Sequence, residues 1–204
     1  MNIAIAGGMG SGKTTVAKYL VDKYDFWKYA LADYIKEIAR EIRLFNSIEA
    51  TNMIYKMVGE NYLPIYLDVF KLCNKCQGKS NRWLYQVLGT DIVRKYKKNV
   101  WVEHLYEQIM DKPFVVIDDV RFKNELKFFK DRDYVTIKIE CYATIPRLMK
   151  RDGYVEGLKH VSETELDNAT FDYTIDNNGT LEELYQQVDN MIGRYRSGYI
   201  DESN

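Results

Sequence analysis

The sequence predicts an α/β fold, a parallel sheet with helices on both faces, and three observations predict it. A short apolar run, Asn2-Ile3-Ala4-Ile5-Ala6, leads through a glycine-rich turn into Thr15 to Val21, where apolar residues recur at helical spacing. Three later apolar runs, Phe114 to Asp119, Tyr134 to Ile139 and Phe171 to Asp176, read as strands followed by helix-compatible sequence. Between them, from Tyr34 to about Ile109, the apolar pattern is almost wholly helical. Strands separated by helices pair in parallel, because the crossover returns each strand in the same direction.

The glycine turn is the most informative segment. Gly7-Gly8-Met9-Gly10-Ser11-Gly12-Lys13-Thr14 fits the phosphate-loop pattern G-x-x-x-x-G-K-[ST] between a strand and a helix, the context that pattern requires. Gly8, Met9, Gly10, Ser11, Gly12 and Thr15 can present backbone amides to phosphate at the positive end of the helix. Lys13 can reach the β and γ oxygens, and the Thr14 hydroxyl can ligate Mg²⁺. A glycine-rich turn that binds nothing needs none of these fixed positions.

Next, Phe26 to Leu31 reads as a second strand ending at Ala32-Asp33. In the helical stretch, Ile35, Ile38, Ala39 and Ile42 follow one face, Leu84, Val87 and Leu88 a second, and Trp101, Leu105 and Ile109 a third. It breaks at Asn61 to Pro64 and at the polar Asn74 to Asn81, an expected exposed loop. The Phe114 strand ends in Asp118 and Asp119, which a parallel sheet delivers to the edge bearing the phosphate loop. There a carboxylate can hold Mg²⁺ or take a proton, or one of the pair can simply cap a helix.

At 204 residues the chain buries about 70% of its unfolded surface on folding and needs no staples. Its 29 basic and 30 acidic residues nearly cancel, which argues against a general nucleic-acid or membrane-surface binder. With three cysteines, no leader-like start and no apolar run long enough to span a bilayer, a reducing cytoplasm is the expected compartment. Cys73-Asn74-Lys75-Cys76 has C-x-x-C spacing with no second pair, so exposed loop thiols are expected rather than zinc; His104 and His160 lack ligand spacing.

Arginines complete the picture. Transfer between two phosphorylated substrates gathers negative charge that preorganised cations must offset. Arg121 follows the acidic strand end, Arg82 and Arg94 flank Gln86 and Gly89-Thr90-Asp91, and Arg147 and Arg151 stand four apart on one helix face.

The strings Arg82 to Arg94, Trp101-Val102 and Asp119-Val120-Arg121-Phe122-Lys123-Asn124-Glu125 resemble the deoxynucleoside monophosphate kinases found mostly in bacteriophages. So do Ala30 to Lys36, His160 to Glu163 and Tyr173 to Leu184, so the likeness spans nearly the whole chain except residues 44–80. The resemblance implies a P-loop nucleoside monophosphate kinase-like fold, a three-layer α/β/α domain over residues 1–204. Its core would be 1–33 and 112–204, its helical acceptor-binding region about 34–110, and its short lid about 147–163. ATP and Mg²⁺ are the implied cofactors.

By position, the resemblance puts the donor's phosphates on Gly8 to Thr14 and part of the donor base pocket on Asn177, Gly179 and Thr180. It faces Asp33, Lys36, Arg82, Gln86, Thr90, Arg94, Arg121 and Glu163 to the acceptor. Asp119 and Arg121 serve Mg²⁺ and the transferring phosphoryl, with Lys13, and Arg147 and Arg151 close from the lid. Lys123 stands where the family usually has proline, and Lys159 where it has aspartate. The same order of elements is similar to animal-type phosphomevalonate kinases, and a hydroxymethylpyrimidine kinase or a non-catalytic nucleotide switch is a further reading. The sequence leaves open the base accepted and whether the chain is a monomer or a homodimer; small-molecule nucleotides are the expected partners.

Overall fold

The computed structural model describes residues 1–142 and 165–197. Arg147, Arg151, Lys159, His160 and Glu163, and with them the expected lid, lie outside the described residues.

Five parallel strands form one sheet in the order β2-β3-β1-β4-β5: β1 (Asn2–Ala6), β2 (Trp27–Tyr29), β3 (Val115–Val120), β4 (Tyr134–Glu140) and β5 (Tyr173–Asp176). The α/β architecture expected from the sequence is therefore present. Alternation along β1 divides its side chains between two apolar layers. Ile3 and Ile5 pack with α1 (Lys13–Tyr24), while Ala4 and Ala6 face the opposite layer of helices. Helix α1 buries Val16, Ala17 and Leu20 on the sheet and stops at Asp25, whose φ of 59° ends the helical path.

The helical stretch resolves into α2 (Ala32–Arg43), α3 (Ser47–Val58), α4 (Tyr62–Lys75), α5 (Asn81–Gln86), a π-helical turn (Val87–Ile92), α6 (Val93–Tyr96) and α7 (Val100–Ile109). Pro64 sits in the first turn of α4, where its missing amide is tolerated. The expected loop is shorter than the polar run, because α4 continues to Lys75. Arg43 fixes it by donating to the carbonyls of Cys76 and Lys79, each at 2.6 Å. The thiols differ from expectation: Cys73 and Cys76 are both buried, with the Cys76 Sγ donating to the Cys73 carbonyl at 3.2 Å. Burial pushes the Cys73 thiol above its ordinary value. The remaining helices are α8 (Lys123–Lys130) and α9 (Leu181–Arg196).

Two local departures shape the cleft. The second strand is only three residues long, because Leu31 and Ala32 turn out of the sheet into α2. In β3 the pairing with β1 runs Ile3 to Val116 and Ala4 to Ile117, then jumps to Ala6 with Val120. Asp118 and Asp119 thus stand together against Ile5, a bulge that re-aims side chains at the strand's end.

Candidate active site

A cleft of about 610 Å³ opens at the carboxyl edge of the sheet, between the phosphate loop and the helical region. Of the residues singled out in the sequence, Met9, Gly10, Lys13 and Thr14 line it from the loop, and Asp119 and Arg121 from the end of β3. Asp33, Lys36, Arg82, Gln86 and Thr90 line it from the helices. Gly8, Ser11, Gly12 and Thr15 lie in the loop and at the start of α1 outside that lining.

The loop needs its glycines. Gly12 has φ 105°, and a Cβ there would collide with the Asn177 Nδ2. That amide donates to the Ser11 carbonyl at 2.7 Å, so Asn177 braces the loop from the end of β5. Thr180 and Glu183 form a reciprocal cap on α9: the Thr180 amide donates to the Glu183 carboxylate at 2.8 Å, and the Glu183 amide to the Thr180 hydroxyl at 3.2 Å. Gly179 packs on that cap, where a Cβ would strike Glu183. Lys13 is buried and donates to the carbonyls of Gly7 and Gly8, both at 2.7 Å, so its ammonium lies along the loop.

The two aspartates do different work. Both oxygens of Asp119 accept amides at the start of α2, Leu31 at 2.7 Å and Ala32 at 2.8 Å. Burial raises its carboxyl, and those two amides draw it back. Asp119 therefore caps the helix carrying Asp33 and Lys36. Asp118, 5% exposed, lies 3.2 Å from the Lys28 ammonium. Both line the cleft, and Lys28 belongs to no motif in the sequence. Strand alternation holds its signal: Lys28 lies two residues past Phe26, whose side chain packs in the α1 layer. Lys36 donates to Asp33 at 2.7 Å; burial lowers the ammonium's pKa, but the Asp33 bond together with the charges of Asp33, Asp119 and Tyr85 leaves it raised.

Arg82 and Gln86 share the cleft face, and Arg82 reaches the Met9 sulfur of the phosphate loop. Arg94 does not join them. Glu125 and Phe122, both of which line the cleft, hold the Arg94 side chain, and Arg94 is not part of the cleft lining. It pairs instead with Glu125 at 2.9 Å and lies 3.8 Å from the Phe122 ring centre. Burial raises the Glu125 carboxyl to about 7, against the pull of the Arg121 amide and of Arg94. Trp101 also lines the cleft, its indole donating to the Gly89 carbonyl at 2.8 Å.

Residues 46–188 match the deoxynucleotide monophosphate kinase family. A protein of Acanthamoeba polyphaga mimivirus named "Putative deoxynucleotide monophosphate kinase" is 32% identical over 201 residues, covering 91% of this chain and 93% of its own. Dephospho-CoA kinases of Clostridium tetani and Fusobacterium nucleatum are 26% and 28% identical, over 94% and 93% of this chain and 85% and 95% of theirs. Among solved structures, TT1252 from Thermus thermophilus shares the fold, with a TM-score of 0.51 at 20% identity over 95% of this chain and 97% of its own. Among the described residues no helix is long and apolar enough to cross a membrane. With a phosphate loop at the edge of a parallel sheet and a match that spans most of its length, the chain belongs to the deoxynucleotide monophosphate kinase family and is a phosphotransferase acting as a nucleotide kinase.

Proposed function

We propose that the protein moves the γ-phosphoryl group of ATP onto a deoxynucleoside monophosphate, forming a diphosphate for DNA precursor supply. One observation carries the reading: a single cleft is lined both by the phosphate loop and by Lys36, Arg82 and Gln86 from the helical region. A nucleotide sensor has no need of the second, cationic wall.

The residues suit the donor. Lys13 and Thr14 line the cleft beside Met9 and Gly10, so an ammonium and a hydroxyl meet where the donor's phosphates would lie. Thr14 and Asp118 would hold Mg²⁺, a cation usually bound by few protein groups together with phosphate oxygens. Asp119, expected on Mg²⁺ from the sequence, has both oxygens engaged by amides and acts by fixing α2. Bound Mg²⁺ would supply charge neutralisation on the donor's phosphates.

An acceptor phosphate oxygen would bond to the γ-phosphorus as its bond to the β,γ-bridging oxygen breaks, leaving ADP and a deoxynucleoside diphosphate. Lys13 and Arg121 would stabilise the charge on the moving group, a role the family resemblance extends to Arg147 and Arg151. Arg82, Lys36 and Gln86 would orient the acceptor, with Asp33 holding the Lys36 ammonium and Thr90 beside them, and the family resemblance adds Glu163 to the same role. Asn177, Gly179 and Thr180 would border the donor base, Asn177 also bracing the loop. We place the reaction in the cytoplasm, of an infected host if the chain is viral.

The test is ADP release with Mg-ATP and each deoxynucleoside monophosphate, the ribonucleotides, dephospho-CoA and phosphomevalonate. Turnover with one or more deoxynucleotides above the others supports the reading; turnover only with dephospho-CoA or phosphomevalonate replaces it.

A further inference from the structure

We propose that Arg94 and Glu125 form a buried positioning strut through which the acceptor-binding helices hold the Arg121 turn, so that Arg94 governs phosphoryl transfer without touching either substrate. The inference rests on the phosphotransfer reading above.

The geometry is that of a clamp. Arg94 and Glu125 side chains are only 9% and 4% exposed and meet at 2.9 Å. The second arm of the guanidinium bonds the Asn124 side-chain oxygen, and its face lies against Phe122. All three partners belong to the end of β3 and the first turn of α8. The far oxygen of Glu125 accepts the amides of Arg121 at 2.9 Å and Phe122 at 3.1 Å. Asn124 in turn donates to Asn99 Oδ1, just before α7, at 2.7 Å. One carboxylate thus joins α6 on one side to the backbone of Arg121 on the other.

The chemistry requires arginine. A planar fork can meet Glu125 and Asn124 at once while stacking on an aromatic ring; an ammonium cannot. With its partner in place the buried carboxylate is compensated, and it holds the Arg121 amide as a rigid acceptor. A shift of the Arg121 turn displaces the cation that faces the transferring group, and misplacement by an ångström costs about 10²-fold in rate. Phe122 and Glu125 both line the cleft, so the strut is the cleft's own back wall.

Arg94→Lys, Glu125→Gln, Arg121→Lys and the paired variants test this in the full chain with Mg-ATP and the deoxynucleoside monophosphate that wild type turns over. Kd for that monophosphate and for a non-hydrolysable ATP analogue is read by calorimetry, and folding by melting. The strut predicts that Arg94→Lys lowers kcat by about 10- to 100-fold with both Kd values within about twofold. It also predicts that Arg94→Lys and Arg121→Lys together lose much less than the product of their separate losses. Should Arg94→Lys fail to fold, Glu125→Gln keeps volume and gives the same readouts. Monophosphate Kd rising in step with the loss of kcat/KM, multiplicative losses in the double variant, or wild-type kcat in Arg94→Lys each overturns the strut. Absence of wild-type transfer to any deoxynucleoside monophosphate instead overturns the phosphotransfer reading, and the strut with it.

Discussion

Asp118 and Lys28 meet at 3.2 Å across two neighbouring strands, at the mouth of the cleft that also holds Thr14. One residue further, Asp119 turns to the helical side and caps α2. The two adjacent carboxylates, beside the bulge in β3, thus meet different partners.

That division predicts opposite signatures for two isosteric substitutions. Asp118→Asn removes charge from the donor side and should lower kcat by about 10²-fold or more while the melting temperature barely moves. Asp119→Asn leaves one amide of α2 without a good acceptor, so it should cost about 1–3 kcal/mol of stability and raise the acceptor KM. Thermal melts with steady-state kinetics on both variants decide it. An Asp119→Asn protein with normal stability and a collapsed kcat would return the metal-facing role to Asp119.

Gly89 gives a second prediction. A Cβ there would come within 2.8 Å of Ile35 Cδ1, the flexible tip of a side chain that lines the cleft. Gly89→Ala should therefore fold, because that tip can move, but it should raise the acceptor KM and leave ATP affinity alone. Trp101→Phe removes the indole bond to the Gly89 carbonyl and should cost about 1–3 kcal/mol, measurable by urea unfolding.

The pH dependence of stability carries a third. His104 packs at a tilt against Tyr34 with ring centres 4.1 Å apart, and burial lowers its pKa despite the opposing carboxylates of Glu107 and Glu37. A depressed histidine binds fewer protons folded than unfolded. Its contribution is fully present above the unfolded value of about 6.5 and is lost as pH falls through that value toward the folded one. The stability gap between wild type and His104→Asn should thus narrow as pH drops below about 6.5. A gap that stays constant from neutral pH to pH 5, measured by urea unfolding, contradicts this reading of His104.

How much of this was legible in the sequence differs from element to element. The phosphate loop was, because four fixed positions and both flanking elements agree in one short segment. The parallel sheet was, because crossovers leave a strand-then-helix rhythm. The end of the second strand was not: its apolar pattern runs on to Leu31, and only the Asp119 carboxylate, 88 residues away in sequence, turns that backbone into α2. Arg94 illustrates a related limit. Its spacing from Arg82 can be read in the sequence, but its partners Glu125 and Asn124 lie about thirty residues further on and no periodicity reveals them. Cys73 and Cys76 stand at the start of a polar run that looks exposed, yet α4 extends to Lys75 and both thiols are buried.

Acceptor and donor ends should separate by mutation. Arg82→Lys exchanges a planar fork for a point charge, and if the fork grips the acceptor phosphate it should raise acceptor KM or lower kcat by about tenfold or more. Affinity for a non-hydrolysable ATP analogue should stay put. Calorimetric titration with the analogue and with each monophosphate reads the two ends independently, and weakening of the analogue alone would remove Arg82 from the acceptor site.

The most direct measurement tracks the phosphorus itself. The protein is incubated with Mg²⁺, ATP labelled in its γ-phosphate and a deoxynucleoside monophosphate, and the products are separated. The account predicts label in the β-phosphate of the deoxynucleoside diphosphate, with about 10²-fold or greater loss in Lys13→Ala. Label found only in inorganic phosphate, or transfer that survives Lys13→Ala undiminished, would contradict it.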